Sequence, residues 1–116
     1  MLAAVERTNI DLLQGTLGVL ILKALSWGPK HGYGIARWIE DTAGDELPIE
    51  EGSLYPALHR LQARGLVTSA WTLSDTNRRV KAYTITEDGR ARLKAELSRW
   101  RAFSESITRV LSARRP

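Results

Sequence analysis

The sequence contains no cysteine, two histidines, one methionine and one phenylalanine. Without cysteine there is no disulfide framework and no thiolate zinc site, which suits a reducing cytoplasm. His31 and His59 lie far apart without a cluster of further ligands, so no metal site is expected. No cofactor is expected either: there is no phosphate-binding glycine loop, paired-carboxylate motif or nucleophile–base arrangement, and enzyme chemistry is set aside. Long hydrophobic runs are missing too. The longest apolar stretch, Leu17 to Trp27, is too short to span a bilayer and contains Lys23. The N-terminus lacks a basic region followed by a cleavage signature, so the expectation is a cytoplasmic protein without membrane association.

Acidic residues are scarce in one half of the chain. Residues 59–116 hold 13 lysines and arginines against five acids, whereas residues 1–58 hold four against eight. Such polarity suggests a polyanion partner for one face. At 116 residues with an ordinary apolar fraction, the chain suits one modest core.

The stretch from Ser53 to Val67, SLYPALHRLQARGLV, reads as a short helix, a glycine stop and a strand. Ser53 is expected to cap the first turn. Pro56 is placed within that turn, where a missing N–H costs nothing. Gly65 supplies the positive φ that ends the helix. Leu54, Ala57, Leu58 and Leu61 form a buried stripe. Tyr55, Pro56, His59, Arg60 and Ala63 then face outward, a surface without acid that can meet phosphates and base edges.

Two helices are expected before it. Asp11–Trp27 is apolar on almost every side, so part of it, including Leu12, Leu17 and Leu20, is assigned to contact with another chain. HGYGIARWIEDTAG gives a second helix, with Tyr33, Ile35, Ala36, Trp38 and Ile39 on its apolar pattern and Gly44 as its stop. His31 before it is read as a capping or packing residue. Residues 1–10 read as a loose arm.

After Gly65 the pattern becomes extended. LVTSAWTL and VKAYTIT flank the turn SDTNRR, giving a β-hairpin with Arg78, Arg79 and Lys81 at or near its tip. A hairpin after a helix-turn-helix is the wing of a winged helix, and a basic tip suits the minor groove or flanking phosphates.

Thr86 caps a long last helix, with Glu87 and Asp88 at its positive end. Leu93, Leu97, Trp100, Ser104, Ile107 and Leu111 follow alternating spacings of four and three, widened by Phe103 and Val110. At 1.5 Å per residue, a helix over 86–113 extends on the order of 40 Å, more than a winged-helix core can cover. A two-fold mate is its most economical partner. The expected fold is mainly α with a β-hairpin wing: a winged helix-turn-helix over residues 1–86 and a dimerisation helix over 87–116.

Taken in order, LLQGTLGVLILKAL, GPKHGYGI, EGSLYPALHRLQARGLV and RRVKAYTITEDGRARL resemble the PadR family of transcriptional regulators. The single long C-terminal helix is similar to the compact branch of that family, which includes multidrug-sensing repressors. The resemblance implies a homodimeric repressor on a double-stranded, palindromic DNA operator. It also implies that the Gly32-Tyr33 segment opens the second helix, that Ser53, Tyr55 and their neighbours contact the operator, and that the wing basics reach adjacent groove or backbone. Trp100, with Leu97 beside it, resembles the aromatic position that stacks on flat drugs in the dimer interface, implying a planar aromatic or cationic effector. The chain departs from the common pattern at the wing, which reads NRRVKAY where many members carry a GRRKYY-like string, and at Glu50 and Glu51 before the third helix. The alternative use of the same fold is protein–protein contact without specific DNA binding.

Overall fold

The computed structural model describes residues 16–115. The expected arm, Leu12 and the first turns of the opening helix lie outside this range. The described elements are α1 (Leu17–Leu25), β1 (Lys30–His31), α2 (Gly32–Ala43), a 3₁₀ turn (Gly44–Glu46), α3 (Glu51–Ala63), β2 (Val67–Leu73), β3 (Arg79–Ile85) and α4 (Glu87–Ser112). This is a winged helix with a long C-terminal helix.

The apolar stripes of α1, α2 and α3 meet in one core, in which Ile21, Leu22, Leu25, Ile35, Leu54, Leu58 and Val67 are almost wholly buried. Each such side chain contributes about 1.5–3 kcal/mol of transfer free energy. Leu17 is only 3% exposed and belongs to this core. Its expected role at an interface is therefore corrected: the chain's own helices cover it. Leu20 is half-buried against the same core.

In α2, Ile35, Ala36 and Ile39 are buried and Trp38 packs partly against the core. Tyr33, expected on this apolar pattern, points outward instead. His31 is the N-cap of α2, its Nδ1 accepting the Gly34 N–H at 3.1 Å. Gly44 ends the helix at φ +77°.

α3 buries Leu54, Ala57, Leu58 and Leu61, but it starts two residues before Ser53. Glu50 is the N-cap, and its carbonyl accepts the N–H groups of Ser53 and Leu54. Ser53 is thus the third helical residue and not the cap. Pro56 is the sixth, beyond the first turn, so the Gly52 carbonyl lacks its i+4 donor. Gly52 is exposed, which leaves that carbonyl to water. Helix α3 ends in a Schellman motif: Leu66 N–H donates to Leu61 O, Gly65 N–H donates to Gln62 O, and Gly65 has φ +72°.

The sheet has the order β1-β3-β2, all antiparallel. The strand β1 was not expected from sequence. Two residues carry no period, and β1 exists because β3 offers it a free edge, pairing Lys30 with Tyr83 and His31 with Ala82. At the far end the five residues 74–78 join β2 to β3. Ser74 N–H donates to Arg78 O at 2.8 Å, and Asn77 takes the left-handed conformation at φ 64°.

Thr86 joins the wing to α4. Its hydroxyl accepts the Gly89 N–H at 3.0 Å and donates to Gly65 O at 2.7 Å. Arg90 donates to Ser26 O at 3.0 Å, placing a cation at the C-terminal end of α1. Leu93 rests half-buried against the core. Beyond it α4 leaves the core, and Trp100, Phe103, Ile107, Val110 and Leu111 are exposed.

Candidate nucleic-acid interface

The outward surface of α3 is set by its buried stripe. Tyr55, His59 and Gln62 follow one another at spacings of four and three, so they share a flank. Gln62 identifies that flank as the one beside the wing, because its Oε1 accepts the Ser69 hydroxyl of β2 at 3.0 Å. Ser53, Arg60 and Arg64 occupy the opposite flank. Arg60 and Arg64 line an open cleft of about 200 Å³ shared with Leu22, Arg92 and Glu96. The expected contact residues thus divide: Tyr55 and His59 share the wing flank, Arg60 faces the cleft with α1 and α4, Ser53 shares the flank of Arg60, and Pro56 lies between the two.

Tyr55 is half-exposed and held in place. Its ring lies over Gly32 at the start of α2, where a β-carbon would stand 2.9 Å from Cε1 and 2.8 Å from the hydroxyl. Gly32 is buried and leaves the space the phenol occupies. The neighbouring Tyr83 is 6% exposed. Burial, helped by the nearby Tyr55 phenol, raises the Tyr83 pKa above its usual 10.0. The Tyr83 phenol is therefore neutral at physiological pH. Tyr33, also exposed, stacks on His31 with ring centroids 6.3 Å apart, next to the same helix start.

Arg78, Arg79 and Lys81 stand on the wing. Arg78 follows the loop, Arg79 opens β3, and Lys81 lies further down and half-buried. Arg79 and Lys81 both approach the Trp71 ring, at 5.0 Å and 5.6 Å from its centroid. Trp71 and Leu73 were not singled out from sequence. The alternation of LVTSAWTL puts both in phase with Val67, which was the available signal.

No acid occurs between Ser53 and Ala63. Glu50 and Glu51 flank the start of α3, where they complement its dipole. Among the described residues there is no cluster of three potential metal ligands, and no helix is long and apolar enough to cross a membrane.

A helix with a polar, acid-free outer face beside a basic wing is the arrangement found in DNA-contacting winged helices. Residues 21–95 match the model of the transcriptional regulator PadR-like family. The chain belongs to this family. PadR-like proteins are regulators of transcription and not enzymes.

Solved structures agree. The chain is similar to a transcriptional regulator from Clostridium thermocellum, with a TM-score of 0.78 at 28% identity over 85% of this chain and 96% of the other. It is also similar to a PadR family regulator from Eggerthella lenta, with a TM-score of 0.79 at 28% identity over 94% and 93% of the two chains. Among named relatives, it is 29% identical over 87 residues to the negative transcriptional regulator PadR of Bacillus subtilis. That match takes in 75% of this chain and 48% of the relative, so the chain spans about half that regulator's length.

Proposed function

We propose that this PadR-like chain is a homodimeric repressor that binds a palindromic double-stranded DNA operator, with α3 of each protomer in a major groove and half-sites about 34 Å apart. The observation that carries this reading is the pairing of α3's acid-free outer face, Tyr55, Pro56 and His59, with a wing bearing Arg78, Arg79 and Lys81. His59 is the candidate base contact. Tyr33, Ser53, Tyr55, Arg60 and the wing cations contact backbone and fix the register.

The dimer is supported by α4. At 26 residues it extends roughly 39 Å at 1.5 Å per residue, and its apolar seam from Leu97 to Leu111 continues past the last core contact, Leu93. Leu20, Leu93, Leu97, Trp100, Phe103, Ile107, Val110 and Leu111 make up the proposed interface. Trp100 and Phe103 lie side by side on it, with centroids 6.3 Å apart. A planar aromatic or cationic effector stacked between the two Trp100 rings would favour one dimer geometry and release the operator.

Fluorescence anisotropy of labelled operator DNA tests the reading. Binding that is sequence-preferring and steeply salt-dependent supports it. No DNA binding at low or moderate salt favours a protein-contact role instead. Quenching of Trp100 fluorescence by planar cations, lost in Trp100→Ala, tests the effector.

A further inference from the structure

The wing has two unlike faces. Thr68, Ala70, Thr72, Val80, Ala82 and Thr84 alternate onto one of them, small or β-branched and uncharged. The other carries Val67, Ser69, Trp71 and Leu73 opposite Ile85, Tyr83, Lys81 and Arg79. At its base this second face is core, with Val67, Tyr83 and Ile85 buried. One step outward, Ser69 bonds Gln62 of α3, so the face looks toward α3. Beyond Ser69 none of the described residues covers it. Trp71 is 60% exposed and Leu73 62% exposed.

A hairpin held only by solvent gains nothing from displaying its largest apolar side chains and its cations together. Here they are sorted onto the one face that continues the surface of α3. Trp71 also lies against two charges, the Arg79 guanidinium and the Lys81 ammonium, which limits the freedom it would lose on binding. A bulky ring flanked by cations matches a nucleic-acid groove, where sugar faces are the apolar surface and phosphates line both edges. Wedges of this kind enter the minor groove, which is also where a wing beside an α3 seated in the major groove arrives.

We infer that Trp71, backed by Leu73, is an apolar wedge that packs into the minor groove flanking each half-site, with Arg79 and Lys81 on the phosphates at its edges. This rests on the DNA-binding reading above and extends it to a residue that carries no charge.

The test separates apolar from ionic contact. Trp71→Ala is expected to weaken operator binding about tenfold or more while leaving the slope of log affinity against log salt unchanged, because no phosphate contact is lost. Trp71→Phe is expected to fall between the two. Replacing guanine by inosine in the flanking base pairs removes the 2-amino group from the minor groove and leaves the major-groove edge intact. It is expected to alter the affinity of the wild type and not that of Trp71→Ala. In a protein whose other tryptophans, Trp27, Trp38 and Trp100, are replaced by Phe, operator DNA is expected to shield Trp71 from acrylamide. Circular dichroism checks that each variant folds. Wild-type binding with an unaffected Trp71→Ala and an unshielded Trp71 overturns the wedge and leaves the repressor reading standing. Failure of the wild type to bind any DNA overturns both.

Discussion

Tyr55 and Gly32 fit together as ring and recess: a single β-carbon on Gly32 would stand 2.8 Å from the Tyr55 hydroxyl. The glycine at the start of α2 thereby sets the position of a side chain on α3. Gly32→Ala is expected to push the phenol aside and weaken operator binding roughly tenfold. The fold should not suffer, because alanine is favoured over glycine in a helix by up to about 1 kcal/mol. Anisotropy and thermal melts read the two effects. In a Tyr55→Ala background the Gly32→Ala change should cost nothing further, since the ring it displaces is gone.

Arg79 is expected to act on every sequence alike. Arg79→Ala is expected to reduce affinity for operator and random DNA by similar factors and to lower the salt slope by about one. A change in sequence preference with an unchanged slope would mean that Arg79 does not contact phosphate.

Gly89 is a packing glycine at the start of α4. An added β-carbon would lie 2.1 Å from Leu66 O and 2.7 Å from Ile85 Cγ1. The first of these is backbone at the end of α3, which cannot swing away. Gly89→Ala should destabilise by about 1–3 kcal/mol despite alanine's better helix propensity, lowering the melting temperature by several degrees.

The exposed seam of α4 predicts its own disruption. Ile107→Glu should turn the proposed dimer into a folded monomer by sedimentation velocity, with helix content retained. Operator affinity should fall about 100-fold, because the second half-site is then no longer held at high effective concentration.

Sequence periodicity reveals most of this architecture, and its gaps have physical causes. The stripe Leu54, Ala57, Leu58 and Leu61 is legible because burial imposes the helical period. The start of α3 is not, because residue type at Ser53 suggests a cap while the chain has already turned helical at Glu51, just after Ile49 enters the core. Leu17 looks available to a partner when α1 is read alone, and its burial depends on how α1 packs with the elements that follow. The same holds at the candidate interface. That Tyr55 and His59 point outward follows from the stripe, but the division between a wing flank and an Arg60 flank does not, because it depends on the Gln62–Ser69 contact with β2. Trp71 lies in phase with the core residue Val67, yet its exposure is decided by where α3 stops covering the sheet.

The most direct test of the central claim is anisotropy of the purified protein on DNA from upstream of its own gene, against a scrambled duplex, at 50 mM and 200 mM salt. A repressor of this design binds the upstream DNA more tightly than the scrambled duplex. It loses on the order of 100-fold or more in affinity between the two salts, as expected for several phosphate contacts per dimer. No binding to either duplex at the lower salt would contradict it.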